Sequence, residues 1–353
     1  MAKPIAEILG EYYLLNNAVK PEHLLSAKFN EVEVAERLER FAVLLAKTDS
    51  LAGIIPEKFR DAFFELVAYP VRGAALANEK ILCAEQSRRS AAKNDPTANP
   101  FAERAEKAHV RIQAETQFYN TELAGGKWRN MMSEAPGKMR VARAPDVARV
   151  TNGVPASVFE KSPAEVSPKK SGAFAEVNRF ISMEASHFSR NLERSGASWR
   201  VVEGLGRTGH ALTIFPATTP SITNLTNLTA SAPVLEYDFT CDAKGAMTAT
   251  VYCVPVHRLY PGRGARLGVG VDDATPQIVD IESEEYSKTW ATNVFRAAAL
   301  GVATNQIAAA GKHTLKLWMV DPGVPVDKIV LNFGGEDYSY FGPPETRVKG
   351  DAF

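Results

Sequence analysis

Residues 311–343 read GKHTLKLWMVDPGVPVDKIVLNFGGEDYSYFGP. Two runs in it, 313–320 and 327–333, alternate apolar with polar side chains, the period of two that belongs to strands. Between them Asp321-Pro322-Gly323-Val324-Pro325 places two prolines where no hydrogen-bonded ladder accommodates them, so the stretch reads as two strands and a turn, a hairpin. Nothing in that hairpin is a nucleophile, a proton shuttle or a metal cage. Its tail, Tyr338-Ser339-Tyr340-Phe341-Gly342-Pro343-Pro344, reads as a segment lying back over neighbouring structure, with sugar contact as the other reading.

The period of two extends upstream. Further strands are predicted over 180–185, 198–202, 211–215, 234–241, 247–254, 266–271 and 277–281, separated by Gly, Pro, Asn and Asp. Many short strands without intervening helices mean a β-sandwich of jelly-roll type. The Ala-rich stretch 287–310 is the exception, open to either helix or strand on pattern alone.

Before residue 133 the period is helical. Ile5, Ile8, Leu9 and Tyr12 form one stripe, and Val34, Leu38, Phe41 and Leu45 a second. A third helix is predicted to open at Pro56 and to be kinked or interrupted at Pro70; a fourth has Asn99 as its cap, Pro100 at its first position and Gly125-Gly126 as its stop. The chain therefore reads as an α+β multidomain protein: an antiparallel helical bundle over 1–132, a Pro-rich linker over 133–176, a jelly-roll-like β-sandwich over 177–346 and a tail over 347–353.

Composition narrows the function. Among 353 residues, 41 Lys plus Arg balance 41 Asp plus Glu, leaving no overall field for a polyanion; neither nucleic acid nor a membrane is expected as a partner. No apolar run approaches the roughly 20 residues of a membrane span, and MAKPIAEILGEYYLLNN reads as an amphipathic helix, not a signal peptide. Cys83, Cys241 and Cys253 are too scattered for a disulfide framework or a zinc site, and the six histidines make no i, i+4 pair. The sequons at Asn224 and Asn227 matter only in a compartment that glycosylates.

Two patterns imitate chemistry. Gly204-Leu205-Gly206-Arg207-Thr208-Gly209 satisfies G-x-G-x-x-G, but a strand pattern follows it where dinucleotide binding needs a helix, so the glycines are read as a tight turn. The acidic pairs in Asp272-Asp273 and Glu282-Ser283-Glu284-Glu285 read as solvated turns. The stretch FYNTELAGGKWRNMM (118–132) ends a helix at two glycines and at once presents Lys127, Trp128 and Asn130. These residues either cap the bundle core or form a contact surface.

TELAGGKWRNMM, AFFELVAYPVRGAALANE (62–79), ISMEASHFSRN, SWRVVEGLGRTGHALTIFP and the opening stretch with its continuation SYFGPPET together resemble the C-terminal half of glycoside hydrolase family 115, the xylan α-1,2-(4-O-methyl)glucuronidases. The resemblance implies a helical bundle and a terminal, galactose-binding-like β-sandwich that follow an α/β domain and a catalytic barrel. In that family the acid and base sit in the barrel, flanking the scissile bond at about 6.5–9.5 Å as inversion requires, so no catalytic residue is carried over to this sequence. The implied role is a non-catalytic portion that supports the barrel, supplied in cis or as a separate chain, and the assembly, a homodimer included. The alternative is a free-standing protein that binds glucuronoxylan. Domain or sugar contacts are assigned to Lys127, Trp128, Asn130, Trp290, Tyr338 and Tyr340. No cofactor is expected: galactose-binding-like modules can hold a structural calcium, and Glu184 matches its first ligand, but Asn332 stands where an Asp belongs. Family members are typically secreted or periplasmic.

Overall fold

Apolar stripes of period 3.6 and strands of period 2 fall into separate units, Met1–Glu165 and Val166–Phe353. The computed structural model describes residues 1–133, 139–151, 173–335 and 339–346.

The first unit is built on α1 (Ala2–Ala18), α2 (Glu31–Ala52), α3 (Arg60–Phe63), α4 (Tyr69–Ala92) and α5 (Ala98–Thr121). A capping box starts α2. Asn30 Oδ1 accepts from the Glu33 N–H at 2.9 Å, and the Asn30 N–H donates to Glu33 Oε2 at 2.9 Å. Asn30→Ala is expected to lower stability by about 1 kcal/mol, read as a fall in the thermal midpoint followed by helical circular dichroism. The turn between α4 and α5 is short, so α5 folds back on α4, and Ala98, Ala102, Ala105 and Ala108 are buried along it.

Three helix predictions need correction. Pro56 does not open a long helix but precedes a 3-10 turn, Glu57–Phe59. Pro70 does not interrupt one: a π-helical segment, Phe64–Ala68, runs straight into α4, and its wider turn takes up the proline near the start of the next helix. Thr97, not Asn99, is the N-cap residue of α5. The Asn99 amide is engaged elsewhere, bracketing Val150 by bonds of 2.9 and 3.0 Å. Part of the Pro-rich stretch lies along the helices in the same manner. Lys80 Nζ, buried on α4, donates to the carbonyls of Val141 at 2.7 Å and Arg143 at 3.2 Å, and the Ala148 N–H donates to Ser87 Oγ.

The second unit carries β1 (Phe174–Ala175), β2 (Phe180–Glu184), β3 (Arg190–Leu192), β4 (Ser198–Glu203), β5 (His210–Phe215), α6 (Leu228–Ser231), β6 (Val234–Cys241), β7 (Gly245–Cys253), β8 (Arg266–Val271), β9 (Gln277–Asp280), α7 (Lys288–Phe295), β10 (Ala299–Ile307), β11 (Gly311–Met319) and β12 (Val326–Asn332). One sheet runs β1-β6-β11-β8-β9 with β3 also on β6; the other runs β10-β7-β12-β5-β4 with β2 also on β12. Leu235, Tyr237, Phe239, Val251, Leu317 and Ile329 are among the alternate residues that fill the shared core.

The opening stretch is not a hairpin. β11 pairs with β6 and β8 in the first sheet, whereas β12 pairs with β2, β5 and β7 in the second. The segment with two prolines is an arch between sheets, anchored by buried Asp321, whose carboxylate takes Arg266 Nε at 2.6 Å and whose N–H donates to the Arg266 carbonyl. β12 is buried on both faces because residues 339–346 lie back over its outer side. The Ser182 hydroxyl donates to the Pro343 carbonyl, and Thr346 and Ser182 exchange backbone and side-chain hydrogen bonds. Gly204–Gly209 is the loop joining β4 to β5, with Glu203 opposite His210 and the Gly204 N–H on the Gly209 carbonyl at 2.8 Å. It leads into a strand, as a turn and not a nucleotide loop.

Candidate functional site

Serine starts the short helix α7: Ser287 Oγ accepts from the Trp290 N–H at 3.1 Å. The preceding residue, Tyr286, holds a left-handed φ of 63° and is 84% exposed. That conformation is costly for a bulky side chain. Its ring lies 5.2 Å from the Trp290 ring at an interplanar angle of 47°. Trp290, half-buried, also lines a cavity of about 220 Å³ with Val256, His257, Ile281, Ser283 and Asn293. Asn293 is only 4% exposed; its amide donates to Ser283 Oγ at 3.4 Å and accepts from Arg296 Nη2 at 2.5 Å.

Tyr340 meets the other end of α7, its hydroxyl donating to the Phe295 carbonyl at 3.4 Å. Arg207 reaches the same place from the β4–β5 loop. Its guanidinium donates to the Tyr340 carbonyl at 2.8 Å and lies 5.1–5.6 Å from the rings of Tyr252, Tyr340 and Phe341. Beneath it Asp327 accepts from the Arg207 N–H, and its Oδ1 lies 3.2 Å from the Thr208 hydroxyl oxygen. Burial pushes the Asp327 carboxyl above its usual range against the pull of Arg207. The structure thus sets Trp290 and Tyr340 at opposite ends of one helix, while Tyr338 lies outside the described residues.

Lys127, Trp128 and Asn130 belong to the first unit. Ala124, Gly125, Gly126 and Asn130 all take positive φ, and the Asn120 side chain clamps Met132 through bonds of 2.8 and 2.9 Å. Lys127 Nζ lies 4.4 Å from the Trp128 ring centroid, so the charge is set over its own neighbour.

On the outer face of the first sheet a second cavity, about 250 Å³, is lined by Arg194, Glu236, Asp272, Asp273, Lys316 and Trp318. Arg190 bridges Glu236 and Asp238, Lys316 meets Asp273 at 3.4 Å, and His313 Nδ1 meets Asp272 at 2.7 Å. Glu236, Asp238 and Asp273 each have an Arg or Lys against them and Asp272 has the His313 imidazole, an arrangement that holds strands together. Burial works against protonating His313, but Asp272 and the Ala309 carbonyl outweigh it and raise the imidazole pKa. A raised folded pKa gives stability that is complete below the unfolded value, about 6.5, and is lost as pH rises through the folded one. Asp272→Asn is expected to flatten that fall, measured by thermal midpoints taken from pH 5.5 to 8.5.

Glu184 and Asn332 do not fit a cation. Glu184 faces Lys328 Nζ at 3.2 Å and accepts from the Thr208 hydroxyl at 2.6 Å, while Asn332 Oδ1 closes a turn on the N–H groups of Gly334 and Gly335. The Glu184 carboxylate is thus already paired with an ammonium. Among the described residues no group of three His, Cys, Asp or Glu is gathered as metal ligands, and no helix is long and apolar enough to cross a membrane.

Sequence reasoning missed Tyr286, the most exposed aromatic of this end. The signal is an aromatic directly before Ser287, the cap of α7.

Among solved structures, a family GH115 4-O-methyl-α-glucuronidase with specificity for decorated arabinogalactans superposes over 94% of this chain with a TM-score of 0.70 at 23% identity. The chain spans 39% of that protein's length. A CBM6 module from Clostridium stercorarium solved with cellobiose is 14% identical over 46% of this chain and 97% of its own, TM-score 0.30; a family 35 carbohydrate-binding module from Clostridium thermocellum is 8% identical over 43% and 96%, TM-score 0.27. These two scores are too low to carry an argument. No curated protein matches the sequence. The model of the glycosyl hydrolase family 115 C-terminal domain matches residues 173–345. The β-sandwich therefore matches the family 115 C-terminal domain, and with the helices before it the chain shares the fold of part of that glucuronidase.

Proposed function

We propose that this chain is a non-catalytic portion of a xylan α-1,2-(4-O-methyl)glucuronidase, supporting the catalytic barrel and the assembly. The observation that carries the reading is the family 115 domain over 173–345. A surface of the helical unit supports it. Pro4, Ile8, Val43, Leu44, Leu51 and Ile54 line an open groove of about 1080 Å³ between α1 and α2, and Ile54 is 66% exposed. Glu7, Glu11, Glu39, Arg40 and Lys47 line the same groove, with Arg40 paired to Glu11 at 2.8 Å; apolar surface bordered by charge suits a protein contact, and the occupant proposed is the barrel of the same enzyme.

The pure chain is expected to release no glucuronic acid from aldouronic acids. Release at an enzyme-like rate, abolished by neutralising one carboxylate, would overturn the reading. Co-expression with the α/β and barrel domains of a family 115 glucuronidase is expected to give a co-purifying complex that Ile54→Asp weakens; a complex indifferent to Ile54 would place the contact elsewhere.

A second reading, carbohydrate binding, is favoured by one observation, the exposed Tyr286 ring set against half-buried Trp290.

A further inference from the structure

We infer that Tyr286 and Trp290 form a stacking platform for uncharged pyranose rings of a polysaccharide main chain; the inference rests on the carbohydrate-binding reading and gives it a place and a sugar class.

Three observations meet there. Tyr286 is held at φ 63° with its ring in solvent, a conformation that gains nothing from burial. Its ring is set 5.2 Å from Trp290 at an interplanar angle of 47°, so two tilted aromatic rings form an angled surface instead of one stray side chain. Trp290 is also one wall of the cavity of about 220 Å³, which is smaller than the roughly 300–1,000 Å³ of drug-sized ligand pockets. A cavity of that size takes part of one ring, and the platform outside it takes the next. Aromatic rings supply large area at low entropic cost and suit the C–H face of a pyranose, while polar groups fix orientation. Ser283, Asn293 and His257 are the polar groups of the wall.

Charge selects the sugar. Glu282, Glu284 and Glu285 flank the platform in sequence, against Arg258, which pairs with Glu282 at 2.9 Å, and Lys288. His257 sits 3.6 Å from Glu285. Arg258 pairs off Glu282 and half-buried Arg296 is taken up by Asn293 and the Ala298 carbonyl, so exposed Glu284 and Glu285 outnumber Lys288 beside the platform and repel a uronate, because like charges brought together at an interface disfavour the complex. The platform therefore accepts the neutral main chain and leaves a glucuronyl branch pointing away, free for another part of the enzyme.

Titration of the chain with xylohexaose, with a linear galactan hexasaccharide and with glucuronic acid, following Trp fluorescence and heat, tests this. Binding of a neutral hexasaccharide with no response to glucuronic acid is expected, and whichever neutral glycan binds identifies the source. Tyr286→Ala and Trp290→Ala are each expected to weaken binding at least roughly tenfold, the scale of an aromatic anchor, and Trp290→Phe to retain most of it. Tyr286 is exposed, so its variant also guards against misfolding, checked by an unchanged thermal midpoint. Glu284→Gln with Glu285→Gln is expected to admit glucuronic acid. If the chain binds a neutral glycan but Tyr286→Ala leaves affinity unchanged, the platform is wrong and the carbohydrate-binding reading stands. If no glycan binds at all, both fall, and the role in supporting the barrel is unaffected.

Discussion

Arg207→Ala is expected to lower the stability of the chain by about 3–5 kcal/mol, the range for removing one partner of a buried ion pair. The Arg207 side chain is 2% exposed and its neighbour Asp327 3%. Its Nε lies 3.8 Å from Asp327 Oδ2, beyond hydrogen-bond reach, so their attraction is one of charge while the Nη groups hold the carbonyls of Tyr340 and Phe341. Truncation leaves three aromatic faces around a void and Asp327 without a counter-charge. For a unit of this size such a loss shifts the thermal midpoint by roughly 10 °C. The pH dependence separates charge from packing. Asp327 already has a raised folded pKa, and deleting Arg207 raises it further. Protons then bind the folded state more tightly than the unfolded one, so the variant loses stability as pH rises from the ordinary carboxylate range through that folded value and recovers it on acidification. A loss of the same size at pH 5 and pH 8 would show that packing alone is at stake. Arg207→Met with Asp327→Leu is expected to regain most of the loss, and proteolysis of residues 339–346 should speed up in Arg207→Ala alone.

Arg207 also shows where the sequence stops being legible. Its loop was read correctly as a turn, because glycines followed by a strand pattern permit little else. Nothing local reveals that the arginine inside the loop is buried: its acceptors lie 89 to 134 residues away in the chain, at Arg296, Tyr340 and Phe341. The strands were legible wherever one face is wet, as in β6 and β7, whose buried and half-exposed residues alternate. The arch was misread for the opposite reason. Turn residues announce a reversal but not which sheet receives the next strand, and β12, buried on both faces, carries Asp327 and Lys328 where alternation predicts one polar face in water. β10 is ambiguous in sequence because Ala299 and Ala303 suit a helix by propensity, although Gly301 between them does not. In the sheet they are demanded by close approach: a Cβ on Gly301 would lie 2.8 Å from Val279 Cγ2. Of the assigned contacts, Trp290 was visible as a solitary tryptophan near a helical stretch, whereas its pairing with Tyr286 depends on a left-handed residue that sequence does not disclose.

In the helical unit the largest expected loss is at Arg37. This residue lies on α2, is 3% exposed, and lies 5.1 and 5.6 Å from the rings of Phe41 and Phe29. Its guanidinium donates to three acceptors on two other elements: Leu15 O at 3.0 Å and Val19 O at 3.3 Å at the end of α1, and Asn78 Oδ1 at 2.7 Å on α4. α1 has no basic residue in its own last turn, so Arg37 supplies from a neighbouring helix the charge that the terminal carbonyls and their dipole favour. Asn78 is itself tied to the Ala74 carbonyl, which fixes its oxygen toward the arginine. Arg37→Ala strands three buried acceptors and opens a void between two phenylalanines, at a cost of about 3–5 kcal/mol. Arg37→Lys keeps the charge but lacks the planar fork that meets three separated acceptors, and is expected to cost about 2 kcal/mol. Urea titration followed at 222 nm measures both. If the lysine variant matched the wild type, the position would need only a cation; if it matched alanine, the directional bonds carry the whole effect, and the three-way contact would be the feature that fixes α1 against α2 and α4.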